Sequence, residues 1–153
     1  MTTAPALQAY LDAFAAKNVE AVAALFAEGA VYELPLLGQR LVGRREIEAG
    51  LARAFALAER CAFEISAAQS SGTATIAEGR LKAKLHRDRD PVEMPAAIVL
   101  QTRDGAIARL STYLDARPYR LWSDGPIFAV TRRSRKHPTG SIHAERPHAP
   151  PGH

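Results

Sequence analysis

The strongest candidates for chemistry in the body of this 153-residue sequence lie far apart: Tyr10, Glu33, Cys61, His86 and Glu93. A tyrosine hydroxyl can donate a hydrogen bond to a substrate oxygen, a carboxylate or an imidazole can move a proton, and a thiolate is a nucleophile. None of the five belongs to a recognisable catalytic motif. What they can do therefore depends on which elements bring them together.

The sequence predicts neither a metal site nor a bound cofactor. The body contains no HxH, HExxH or CxxC spacing and no GxGxxG or GxxxxGK phosphate loop. Cys61, the only cysteine, can form no intramolecular disulfide, so we interpret it as a small core residue of a protein in a reducing, cytoplasmic compartment. No signal peptide and no apolar stretch long enough to span a membrane is apparent. The other four histidines lie among prolines near the C-terminus: His137, His143, His148 and His153.

The net positive charge of the chain comes from its C-terminal part. The sequence has 20 Lys and Arg against 16 Asp and Glu, and residues 126–153 hold five of these bases with one acid. The body, residues 1–125, is therefore neutral, which argues against a nucleic-acid-binding domain. We expect residues 126–153 to form a basic, Pro- and His-rich disordered tail, because they contain few large apolar side chains. The run Arg132 to Lys136 has no neighbouring aromatic residue to stack on a base, so a solvated tail is the simpler interpretation.

Apolar spacing in the first 60 residues indicates three helices. Leu7, Tyr10 and Phe14 share one face of the first helix. Asn18 either ends that helix in a left-handed conformation or caps a second helix, which includes Phe26 and stops at Gly29. A short strand from Ala30 to Pro35 follows, and Gly43 precedes a third helix.

After about Arg60 the apolar period changes to two, which is typical of β-strands. From Ala77 to Leu85 every second residue is apolar or glycine, and the residues between them are mostly polar or charged. Leu81, on the apolar side, is expected to point inward, and His86, on the polar side, is interpreted as a surface residue. Asp104 and Gly105 form a strong hairpin signal between a strand at 92–103 and a return strand at 106–115. Helices followed by antiparallel strands predict an α+β fold with helices packed on one side of a curved sheet.

Three segments carry a resemblance to a known family. AYLDAFAAKNVEAVAALFAEGAVYELP, GRREIEAGL and RDGAIARLSTYLD, in that order, resemble the SnoaL-like branch of the nuclear-transport-factor-2-like superfamily, which includes ketosteroid isomerases and polyketide cyclases. The resemblance covers about residues 5–122. It implies a cone in which a bent antiparallel sheet wraps three helices around an apolar cavity, with function residing in the cavity lining.

The resemblance also shows what this chain lacks. A ketosteroid-isomerase-like site would need a carboxylate base near Leu34 and a protonated acid near Ala97, beside a tyrosine that would correspond to Tyr10. That enzyme is itself a standard example of a carboxylic acid held neutral by an apolar site. Leucine and alanine cannot move a proton, so the steroid-isomerase mechanism is not expected here.

Alternation along the strands and the resemblance together predict which residues form the site. Tyr10 would donate a hydrogen bond to a substrate oxygen, although a core tyrosine is the simpler interpretation. Glu93 would face the cavity as general acid or base, or would instead be a rim carboxylate paired with Arg87 or Arg89. Glu33 would point outward. The expected ligand-binding residues are Phe14, Tyr32, Leu34, Leu81, Ala97, Val99, Leu110, Thr112 and Leu114.

These features predict a protein that binds a small hydrophobic organic molecule in a conical pocket. It would act as a cofactor-independent isomerase, cyclase or dehydratase through proton transfer. The alternative is a noncatalytic ligand-sensing or dimerisation module, favoured by the missing carboxylates. We expect a homodimer through the outer sheet face, with Tyr113 as an interface residue, and Trp122 covering either the pocket mouth or the sheet edge.

Overall fold

The structure of the protein, a computed structural model, describes residues 4–115. The described residues form three helices and six strands. Two of the strands lie between the second and third helices, and the other four follow the third helix. In chain order the elements are α1 Pro5–Ala15, α2 Val19–Ala24, β1 Phe26–Leu34, a 3-10 turn Pro35–Leu37, β2 Gln39–Val42, α3 Arg44–Leu57, β3 Ala58–Ser71, β4 Ala74–Leu85, β5 Val92–Arg103 and β6 Ala106–Leu114.

The strands form one open sheet in the order β2-β1-β6-β5-β4-β3. All neighbouring pairs are antiparallel except β1 and β6, which run parallel. One face of the sheet shares a continuous apolar core with the helices, to which α1 contributes Leu7 and Tyr10 and α3 contributes Ile47. The predicted α+β fold, with helices on one side of a largely antiparallel sheet, is confirmed, and the hairpin strands β5 and β6 lie where the sequence placed them.

Local sequence explains where the first helix ends and the second begins. Lys17 takes a left-handed conformation with φ 53° and ends α1. The Asn18 side chain then caps α2 by accepting a hydrogen bond from the Ala21 amide at 3.0 Å. Of the two roles predicted for Asn18, the structure therefore shows the capping role.

The predicted extension of the second helix to Gly29 is wrong. Phe26 is fully buried at the start of β1, where it pairs with Ile107 of β6. The Ile107 amide donates to the Leu25 carbonyl at 2.8 Å, and the Arg44 Nε donates to the Phe26 carbonyl at 2.8 Å. Pairing with β6, a strand much later in the sequence, thus outweighs the local helical pattern. Local periodicity cannot reveal such a long-range pairing.

The register between β3 and β4 shifts at a bulge between Ile65 and Ala67, opposite Gly79 of β4. A Cβ atom at Gly79 would overlap the carbonyl oxygen of Glu64, which belongs to the backbone of β3. Only glycine fits this position, because a bulge brings the neighbouring backbone into the space that a side chain needs.

Glu33 lies on the outer sheet face, as predicted, in a compact polar cluster. Its Oε1 accepts hydrogen bonds from the Arg109 Nη2 at 2.6 Å and from the Ser111 hydroxyl at 2.8 Å. The hydrogen bond from Ser111, helped by Arg109, lowers the pKa of the Glu33 carboxyl. The ionised form therefore stabilises the fold above the unfolded-state pKa, and this contribution is lost as the pH falls through the lowered folded-state pKa.

Replacing Ser111 with alanine should raise the pKa of Glu33, because the largest contribution to its depression is removed. An NMR titration of the Glu33 carboxyl carbon would measure the change. Ser66→Ala is the matched control, since the Ser66 hydroxyl donates to the Glu78 backbone carbonyl. An unchanged Glu33 titration in S111A would contradict the assignment.

Candidate functional site

A partly open apolar cavity of about 50 Å³ lies between α1, α3 and the inner face of the sheet. Since one water needs roughly 10–15 Å³ on this measure, the cavity holds about four water-sized spheres. A compact molecule fits this space, whereas sites for drug-sized ligands are several-fold larger. Its lining is Phe14, Tyr32, Leu34, Gln39, Leu41, Gly50, Leu51, Arg53, Ala54, Phe55, Ala58, Cys61, Phe63, Leu81, Thr112 and Leu114.

Six of the nine predicted ligand-binding residues line this cavity, and three do not. Phe14, Tyr32, Leu34, Leu81, Thr112 and Leu114 are among the lining residues. Leu110 is fully buried but is outside the lining, and Ala97 and Val99 are on the opposite side of the sheet.

The face assigned to β5 is the main error of the sequence-based prediction. Leu81 of β4 points inward and pairs with Met94, which is fully buried, so the even-numbered residues of β5 face the core. Ala97 and Val99 follow the other parity and therefore face outward. The apolar alternation of Met94, Ala96, Ile98 and Leu100 indicates the observed inward face, whereas the family resemblance implies the opposite one.

Glu93 is consequently on the outer face and not in the cavity. Its carboxylate lies 3.3 Å from the Arg80 Nη1 and 3.3 Å from the Lys82 Nζ, and nearly half of its side chain is exposed. This is the ion-paired alternative that the sequence left open, although the partners come from β4 and not from the turn. Among the described residues, those that line the cavity include no carboxylate.

Tyr10 lies behind the cavity wall. It is fully buried, packs on Phe14 with ring centroids 5.7 Å apart, and is not a lining residue. Its hydroxyl is 3.4 Å from that of Tyr32, which does line the cavity. Tyr10 can therefore reach a ligand only through Tyr32, as a positioning residue.

Thr112 adds a third hydroxyl to this buried group. Its side chain is 1% exposed and lines the cavity, and its Oγ1 makes no hydrogen bond of good geometry among residues 4–115. The Tyr10 and Tyr32 hydroxyls lie close enough for Thr112 to oppose the rise of their pKa values. Native proteins pair almost all of their buried polar atoms, because an unpaired one costs about 1–3 kcal/mol. An unpaired hydroxyl in a cavity wall is thus ready to bond a polar atom of a ligand.

Burial keeps the two phenols and the thiol in and behind the cavity wall neutral. It raises the pKa of Tyr10 well above its ordinary value, with a further contribution from Tyr32, and burial also raises the pKa of Tyr32. The Cys61 thiol, which was predicted to be a core residue and is 7% exposed, has its pKa raised by burial to about 11. At neutral pH these groups donate or accept hydrogen bonds but do not take protons from a substrate.

One charged residue lines the cavity and was missed by sequence reasoning. Arg53 is an exposed residue of α3, two positions before the buried Phe55. An arginine on an amphipathic helix ordinarily reads as a solvated surface residue. Its proximity to the cavity depends on how α3 packs on β2, where Gly50 permits a close approach to Leu41.

Several sequence-based predictions lie outside the described residues: Trp122, the basic run from Arg132 to Lys136 and the tail histidines. Within residues 4–115, no group of three or more His, Cys, Asp or Glu residues could hold a metal ion. No helix in the same range is long and apolar enough to cross a membrane.

Comparison with known proteins gives a consistent family match. Residues 7–110 match the model of the SnoaL-like domain. None of the curated proteins matches the chain.

Solved structures extend this match to the whole fold. A hypothetical protein with a ketosteroid isomerase-like fold from Catenulispora acidiphila, in complex with trimethylamine, is 27% identical with a TM-score of 0.69, over 73% of this chain and 86% of that one. An LEH-like epoxide hydrolase of M. tuberculosis is 25% identical with a TM-score of 0.60, over 73% and 81% of the two chains. A candidate polyketide cyclase of Xanthomonas campestris is 24% identical with a TM-score of 0.66, over 74% and 90%.

Proposed function

Because the chain belongs to the SnoaL-like domain family, we propose that it binds a compact, mainly apolar organic molecule carrying one hydrogen-bonding oxygen. The observation that carries this proposal is the Thr112 hydroxyl, which lacks a well-formed hydrogen bond in the wall of a mainly apolar cavity. A ligand oxygen placed there would satisfy a buried polar atom that the described residues leave unsatisfied. Tyr32 offers a second hydroxyl in the same lining.

The described part of the cavity favours binding over catalysis. Isomerisation, cyclisation and dehydration by proton transfer need a group that accepts a proton near neutral pH. Glu93, the predicted base, is on the other face of the sheet, and the phenols and thiol remain protonated. We therefore favour the noncatalytic ligand-binding module over the enzyme.

The structural relatives support the ligand's size and leave its chemistry open. The Catenulispora acidiphila protein was solved with trimethylamine, a compact molecule of the scale that a 50 Å³ cavity admits. The M. tuberculosis protein is an epoxide hydrolase. Opening an epoxide with water needs a base to activate the water, and the described lining of this cavity has no carboxylate to supply one.

Thr112→Val should weaken the binding of a ketone relative to its hydrocarbon isostere. Cyclopentanone and methylenecyclopentane have similar shapes, and only the ketone oxygen can accept the threonine hydrogen bond. The ratio of their affinities, measured by NMR titration of the full chain, should shift about two- to tenfold against the ketone in T112V, the range expected for one net hydrogen bond. Removing an unpaired buried hydroxyl should leave the free energy of unfolding unchanged or raised.

Glu93→Gln is the matched control, because the Glu93 carboxylate lies outside the cavity. This substitution should leave both affinities unchanged. Binding of neither probe to the wild-type chain would overturn the proposed function. A T112V ratio equal to that of the wild type would remove Thr112 as the ligand contact, and a large effect of E93Q on either affinity would show that Glu93 contributes to the binding site.

The homodimer and the cytoplasmic location stay predictions. Ile76, Ala97, Val99 and Tyr113 follow the parity of the outer sheet face, and Ile76 is 59% exposed. We propose that this apolar patch packs against a second copy of the chain.

A further inference from the structure

Arg53 points to a ligand with an acidic group. It is the single charged residue among the described residues that line the cavity, and it is exposed while most of the lining is buried. Its exposure places it at the solvent end of the lining, where an amphipathic ligand would keep its charge. Building on the proposed function, we propose that the ligand is a small apolar carboxylate whose acidic group binds Arg53 at the cavity mouth.

The charge balance of the lining supports an anion. The lining includes one guanidinium and, among the described residues, no carboxylate that would neutralise it. No Asp or Glu of residues 4–115 lies within ion-pair distance of Arg53, whereas Arg80 and Arg109 are both paired with glutamates. Within the described part of the chain, the positive charge at the mouth therefore has no acidic partner, and a guanidinium binds a carboxylate through two parallel hydrogen bonds.

The position of Arg53 on α3 explains how its side chain can contact both solvent and the cavity. Leu51 and Phe55 of α3 are buried in the cavity wall, and Arg53 is an exposed lining residue between them in sequence. A long arginine side chain covers apolar surface with its methylene stem while its charged end stays hydrated. The ligand's apolar body would occupy the interior beside Leu51 and Phe55, and its carboxylate would remain at the surface.

The test compares an acid with its neutral isostere. The probes are 3-oxocyclopentane-1-carboxylate and 3-oxocyclopentane-1-carboxamide, which differ mainly in charge. The wild-type chain should bind the acid up to about fivefold more tightly at low salt, the upper end of the range expected for an exposed ion pair. Added salt should reduce this preference, because exposed charges are screened.

Arg53→Gln should abolish the preference for the acid, so that the ratio of the two affinities falls to about one. The control is Arg45→Gln, which removes the same charge from an exposed residue of α3 that does not line the cavity. Equal affinities of the wild-type chain for acid and amide would overturn the inference, as would an equal loss in R45Q and R53Q, which would indicate a nonspecific effect of net charge.

The outcome distinguishes this inference from the function on which it rests. If cyclopentanone binds with the expected dependence on Thr112 but the acid has no advantage over the amide, only the inference about Arg53 fails. If neither cyclopentanone nor the two cyclopentane probes bind, the proposed ligand-binding function fails as well.

Discussion

Replacing Gly79 with alanine should cost roughly 4 kcal/mol or more of the free energy of unfolding, the size reserved for backbone overlap and similar defects. The added methyl group would overlap the Glu64 carbonyl oxygen, which belongs to the backbone of β3 and cannot rotate away. Relief requires moving the bulge between Ile65 and Ala67, and that bulge sets the register of the β3 and β4 hairpin. Urea unfolding followed by circular dichroism would measure the loss.

Gly50→Ala provides a matched control for the same substitution. Its added methyl group would lie 2.5 Å from Leu41 Cδ1, the far end of a flexible side chain that can turn aside. Alanine also gains about 1 kcal/mol over glycine inside a helix, which offsets the crowding. G79A within about 1 kcal/mol of G50A would show that the β3 backbone yields, contrary to the expected rigidity of the bulge.

The second large effect is expected for Phe14→Ala. Phe14 packs edge-to-face on Phe55 with centroids 5.2 Å apart, and its ring centroid is 4.8 Å from that of Phe63. Removing a buried ring of this kind typically costs about 3–5 kcal/mol, because the cavity left behind collapses only in part. Thermal and urea unfolding of the purified variant would measure the change.

Leu36→Ala is the control, since Leu36 is 65% exposed and should cost no more than about 0.5 kcal/mol. A loss below about 1 kcal/mol for F14A would mean that the aromatic cluster repacks into the space, and Phe14 would then not hold α1 against α3.

Local patterns predicted the elements that are defined by neighbouring residues. The hairpin at Asp104 and Gly105, the inward face of β4 and the capping alternatives at Asn18 all follow from turn chemistry and from alternation within one segment. Each is set by interactions between residues a few positions apart, which a single sequence displays directly.

Features that depend on partners distant in sequence were predicted less well. Phe26 joins β1 because Ile107, some eighty residues later, offers a strand edge. Glu93 faces outward because β5 is in register with β4, so that it pairs with Lys82. Tyr10 is on the expected apolar face of α1, but Tyr32 lies between it and the cavity. Helical periodicity predicts which face is buried and does not predict how far a side chain lies from the cavity. Arg53 reads as a surface residue until the packing of α3 on β2 is known.

The parallel pairing of β1 with β6 has a consequence for how the protein is made. Strand β1 is hydrogen-bonded between β2 and β6, yet β6 is the last strand of the described chain to leave the ribosome. The N-terminal helices therefore emerge without the platform on which they rest, and the native arrangement forms only after most of the domain has been translated. Such distant pairings also slow folding, because the entropy cost of closing a long loop comes before the stabilising contacts between the strands form. Since β6 carries Thr112, the ligand chamber is among the last parts to be completed during biosynthesis.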